Sequence, residues 1–68
     1  MELINRIKEL RARDGLTQED LAKKVDVTRQ TIISIEKREY TPSTLLAIKI
    51  AGVFKVPFEE VFFITNKK

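Results

Sequence analysis

The sequence predicts an all-α domain, a compact five-helix bundle, and three observations carry that expectation. Apolar residues recur at three- and four-residue spacing along most of the chain. Residues that start and stop helices punctuate the pattern at short intervals. No segment reads as a strand. Sixty-eight residues suffice for one domain, taken here as 1–68 with its core over about 4–63 and a frayed tail at 64–68. A chain this short buries only about 60% of the surface it exposes when unfolded, so the core is modest.

Leu3, Ile4, Ile7 and Leu10 place a first helix over residues 3–13, and Gly15 is the stop that follows it. Thr17 caps a second helix over about 18–25, with Asp20 three residues on as the partner in a weak capping box. Leu16 and Leu21 are spaced as a hydrophobic staple across that start. Thr28 repeats the device for a third helix over about 29–37, where Val27 and Ile32 form the staple. The turn between them, "VDVT" at 25–28, is short enough to require a positive φ near Asp26, which aspartate tolerates. Pro42 keeps Thr41 out of helix, and Ser43 caps a fourth helix that ends near Phe54. Its inner face is Leu46, Ala47, Ile50, Ala51 and Phe54. Pro57 opens a fifth helix over about 58–63.

Composition narrows the function. Thirteen Lys and Arg against ten Asp and Glu leave a formal charge of +3, compatible with a polyanionic partner without demanding one. With neither Cys nor His, disulfides, the usual zinc ligands and the commonest nucleophile–base pairs are missing, so neither enzyme activity, cofactor nor metal is expected. Glu59 and Glu60 are adjacent on a helix and point about 100° apart, which suits first-turn acids facing the helix dipole better than paired acid–base work. No leader and no apolar run of about 18 residues are present, so the expected location is the cytoplasm, away from membranes.

Two helices joined by so short a turn form a helix-turn-helix, in which one helix fits the major groove of B-DNA and the other braces on the backbone. Apart from Ile32 and Ile35, the third helix offers Thr28, Arg29, Gln30, Thr31, Ser34 and Lys37, a set without an acid. Arginine pairs with guanine and glutamine with adenine, while hydroxyls serve either base or phosphate. The competing reading is an ordinary solvated face, which more often mixes Glu with Lys. Glu36 leans to the core edge, and Arg11 lies at a matching edge of the first helix; the two either form a partly buried ion pair or are unrelated surface charges.

"GLTQEDLAKKVDVTRQTIISIEK", "YTPS" and "VPFEEVF" together resemble the Cro/repressor-type (Xre-type) helix-turn-helix transcription regulators, from about Ile4 to Phe63. That resemblance implies a lambda repressor-like five-helix bundle with the third helix reading the major groove. It assigns base contacts to Arg29, Gln30 and Ser34, and phosphate contacts to Gln18, Thr28, Lys37 and Arg38, with Thr31 among the hydroxyls available to the backbone. Its buried ion pair corresponds to Arg11 and Glu36. Three positions often held by glycine in the family are Asp26, Arg38 and Lys55. Ile33 replaces a small or polar residue, and either touches a thymine methyl or packs on the fourth helix.

One such helix reads only a few base pairs, so the expected partner is a palindromic double-stranded operator bound by a homodimer. Phe58, Phe62 and Phe63, extended by Leu45 and Ile48, are candidates for the dimer contact; the alternative is that Phe62 completes the core and the rest are scattered exposed apolars. The length leaves room only for the DNA-binding unit, so any sensing comes from a protein partner. The leading expectation is a small repressor. Beside it stand an antitoxin-like regulator that also binds a toxin, and a protein-interaction adaptor without base reading.

Overall fold

The computed structural model describes residues 2–65. Its elements run β1 (Glu2–Asn5), α1 (Ile7–Asp14), α2 (Gln18–Lys24), α3 (Arg29–Glu36), α4 (Thr44–Phe54), α5 (Phe58–Val61) and β2 (Phe62–Thr65). Two strands correct the all-α expectation: β1 and β2 pair antiparallel, with Glu2 opposite Thr65 and Asn5 opposite Phe62. The first helix therefore begins at Ile7 rather than residue 3, and the fifth stops at Val61 rather than 63. The physical reason is non-local. Each four-residue segment is too short to reveal its period, and its backbone groups find partners some sixty residues away rather than within a turn. Ile64 and Thr65, expected in a frayed tail, lie in β2; residues 66–68 of that tail fall outside the described residues.

The helix starts follow from side-chain caps. Thr17 and Asp20 complete a reciprocal box, with the Thr17 amide donating to Asp20 Oδ2 at 3.0 Å and the Asp20 amide to Thr17 Oγ1 at 2.9 Å. Thr28 accepts from the Thr31 amide and Ser43 from the Leu46 amide.

The ends of α1 to α4 share one device. At each of these, a left-handed residue lets two successive amides turn back onto the last carbonyls, the Schellman arrangement. Gly15 and Leu16 donate to Ala12 and Arg11, Asp26 and Val27 to Lys23 and Ala22, Arg38 and Glu39 to Ile35 and Ser34, and Lys55 and Val56 to Gly52 and Ala51. The left-handed residues have φ of 68° at Gly15, 62° at Asp26, 64° at Arg38 and 57° at Lys55. In three of the four ends the next residue, Leu16, Val27 or Val56, packs against the core. The fourth, Glu39 after α3, is exposed.

Ile7, Leu21, Ile32, Ile35, Ile50, Phe54 and Val61 are fully buried at the centre. Phe62 joins them at 3% exposure, which removes it from the candidate dimer surface. A side chain packed into the core cannot also face a second molecule.

Candidate nucleic-acid interface

Arg29 and Gln30 are exposed at the start of α3. Ser34 is half-buried one turn later, and Gln30 Nε2 donates to its Oγ at 3.5 Å, so Gln30 and Ser34 share one stripe of the helix. Thr28 and Thr31 sit at the same end with their hydroxyls 3.1 Å apart. The first turn of α3 contains no acid. This end of the helix combines free amides, hydroxyls, an amide side chain and a guanidinium, all suited to acceptors or to phosphate.

The one carboxylate on α3 is occupied. Arg11 Nε and Nη2 donate to the two oxygens of Glu36 at 2.7 and 3.1 Å, a bidentate pair with side chains 14% and 9% exposed. The third Arg11 nitrogen, Nη1, donates to the Leu16 carbonyl at 3.1 Å. Gln18 Nε2 reaches Glu36 Oε1 at 3.3 Å. Helices α1, α2 and α3 thus meet on one carboxylate, which is held away from the outward stripe.

At the far end of α3, Lys37 and Arg38 are both exposed. Arg38 Nη1 lies 3.3 Å from Glu2 Oε1 of β1, so this cation is shared with the ribbon. Ile33 is half-buried. Between ribbon and α3–α4 connection lies an open cleft of about 430 Å³ bordered by Leu3, Asn5, Ile35, Tyr40 and Pro42.

Sequence reasoning missed Asn5. Its Nδ2 donates to the Ile35 carbonyl at 2.9 Å, and its Oδ1 accepts from the Ile7 amide at 3.2 Å. An Asn just ahead of "RIKEL" is a helix-start signal, and giving it weight over the Leu3–Ile4 spacing would have moved the helix start to within one residue of its observed place.

Leu45 and Ile48 stand 64% and 55% exposed on the outer side of α4, and Phe58 and Phe63 are exposed beside the ribbon. Strand register puts Leu3 opposite Ile64 and Ile4 opposite Phe63. Since opposite residues share a face and faces alternate, the ribbon carries apolar side chains on both sides.

A helix-turn-helix family model matches residues 7–61, which span this whole arrangement from α1 to α5. The chain belongs to the Cro/repressor-type helix-turn-helix family. It is 53% identical over 63 residues to YgzD of Bacillus subtilis, an uncharacterized HTH-type transcriptional regulator, covering 93% of this chain and 96% of that one. An uncharacterized HTH-type transcriptional regulator of Methanocaldococcus jannaschii is 59% identical over 58 residues, covering 85% and 88%. Among solved structures, the restriction-modification controller protein C.AhdI from Aeromonas hydrophila superposes with a TM-score of 0.75 at 29% identity, covering 81% and 80%. A Bacteroides fragilis protein has the same fold, with a TM-score of 0.80 at 24% identity over 90% of this chain and 98% of that one. Helices α2 and α3 are joined by a short turn that holds Asp26 at a φ of 62°. Among the described residues, no helix is long and apolar enough to cross a membrane.

Proposed function

We propose that this helix-turn-helix protein is a sequence-specific binder of double-stranded DNA, a binding protein and not an enzyme, that represses transcription by occupying its operator. In this reading α3 lies in the major groove with Arg29, Gln30 and Ser34 at base edges. Gln18, Thr28 and Thr31 meet phosphates at the near end, and Lys37 and Arg38 meet them at the far end. The observation that carries it is the division of charge on α3: Arg29 and Gln30 are exposed, while Glu36 is drawn aside by Arg11 and Gln18.

A single α3 contacts too few base pairs for useful selectivity, so two copies bind a palindromic site with half-sites about 34–36 Å apart. A two-stranded ribbon is at best marginal alone, and one that is apolar on both faces needs cover. Phe58 and Phe63, with Leu3 and Ile64, supply the contact in place of Phe62.

Leu45 and Ile48 favour a second role. Helix α4 carries a single charge, Lys49, and is apolar on both sides, a pattern proper to a helix covered all round. A protein partner such as a toxin or a sensor, seated on its outer side, would make the chain a regulator with a second client.

Selection of bound duplexes from a random pool tests the main reading. The expected result is a two-fold symmetric consensus. A pool that emerges without sequence preference would overturn it.

A further inference from the structure

The end of α3 is built differently from the ends of α1, α2 and α4. Those three are clipped to the core by Leu16, Val27 and Val56, the residues just beyond their left-handed stops. After α3 the corresponding residue is Glu39, which faces solvent, and an open cleft bordered by Asn5, Ile35 and Tyr40 separates the ribbon from the α3–α4 connection. Two polar contacts span that gap. Asn5 Nδ2 donates to the Ile35 carbonyl at 2.9 Å, and Glu2 pairs with Arg38 at 3.3 Å.

Asn5 is itself well held. Its Oδ1 accepts from the Ile7 amide at 3.2 Å, the adjacent Arg6 amide donates to the Val61 carbonyl at 2.9 Å, and Asn5 lies opposite buried Phe62 in the ribbon. A part-buried amide tied at both ends is restrained to the orientation that makes both bonds, so it bears on the distance from ribbon to Ile35. The Ile35 carbonyl also accepts from the Arg38 amide at 2.9 Å. The anchor therefore acts on the turn that bears Ser34, Lys37 and Arg38.

We infer that Asn5 is a positioning residue for DNA reading. It sets the angle at which α3 is presented by tying the helix end to the ribbon, in place of the apolar clip that α1, α2 and α4 use. The inference rests on the proposed major-groove role of α3. If copies join through the ribbon, Asn5 is also the bond that relates each reading helix to the two-fold axis.

Asn5→Asp is the informative variant. It keeps an acceptor for the Ile7 amide but sets an oxygen against the Ile35 carbonyl. Without DNA, amide hydrogen exchange at Arg38 and Glu39 is expected to quicken about tenfold, with Asp26 and Val27 unchanged. With DNA, below the unfolding transition, affinity for the duplex selected by the unaltered chain is expected to fall about tenfold, while affinity for a scrambled duplex stays within about twofold. Equal losses on both duplexes, or unchanged exchange at Arg38 and Glu39, would overturn the inference. Should the unaltered chain select no sequence, the DNA reading fails by itself, and the exchange measurement still decides the anchor. Where Asn5→Asp does not fold, Asn5→Ser carries the same test, because its hydroxyl is too short to reach the Ile35 carbonyl while serving the Ile7 amide.

Discussion

Arg11 and Glu36, twenty-five residues apart in sequence, meet through two hydrogen bonds of 2.7 and 3.1 Å. This pair joins α1 to α3 and leaves the outer face of α3 without an exposed acid. Taking two charges largely out of water costs nearly as much as their attraction returns, so the pair orients more than it stabilises. Breaking it is another matter. Glu36→Ala strands the Arg11 guanidinium and is expected to cost about 3 kcal/mol, a large share of what a domain of this size holds. Arg11→Met with Glu36→Leu is expected to recover most of that loss in urea titrations. An additive double variant would mean the two residues do not act as a unit.

Three helix ends place a side chain where glycine is cheapest. For an L-residue the left-handed conformation costs about 1–2 kcal/mol, and glycine gives back roughly 0.5–1 kcal/mol through its freer unfolded state. Asp26→Gly and Lys55→Gly are therefore each expected to stabilise by about 0.5–1 kcal/mol, raising Tm by several degrees. Arg38→Gly should gain similarly in stability while losing a cation from the proposed backbone contact.

The proposed base-reading and phosphate-contacting residues are expected to separate under salt. Arg29→Ala or Gln30→Ala is expected to cost about 1–3 kcal/mol on the selected duplex and to relax preference at one position. Lys37→Ala is expected to weaken every duplex alike and to flatten the salt dependence by about 0.9 in log–log slope. Identical behaviour of both kinds of variant would remove the assignment of base readers.

Two neighbouring aromatics are expected to behave oppositely. Phe63→Glu should leave the fold intact and convert a sedimenting dimer to monomer, because Phe63 is exposed. Phe62→Glu should unfold the domain, since it buries a charge in the core without a partner. Sedimentation of the unaltered chain as a clean monomer would sink the ribbon contact in solution.

Acid should loosen the start of α2. The Asp20 carboxyl is held below its ordinary pKa, first by the Thr17 backbone amide and then by the Thr17 side chain. Glu9 and Asp14 are lowered likewise, by hydrogen bonds from Arg6 and Arg13. A lowered folded-state pKa stabilises at pH above the unfolded value and loses that contribution as pH falls through the folded one. Stability is thus expected to decline on acidification through and below the ordinary carboxylate range. Asp20→Asn should make the thermal midpoint less sensitive to pH there. All three groups are exposed, so added salt should shrink the Arg-paired contributions.

The helix-turn-helix, its caps and the left-handed residue at Asp26 could be read from residues 15–37, because each depends on neighbours within one or two turns. A threonine oxygen and the amide it accepts from are three positions apart, and a short turn forces its own backbone angle. The four residues Glu2–Asn5 that became one strand of the ribbon could not be read that way. Leu3 and Ile4 fit a helical period as well as a strand, and only the arrival of Phe63 and Ile64 beside them settled the matter. A separation of thirty residues likewise hid the bond from Asn5 to the Ile35 carbonyl. Local chemistry is written in adjacent letters, whereas hydrogen bonds between chain ends exist only once the core has brought those ends together.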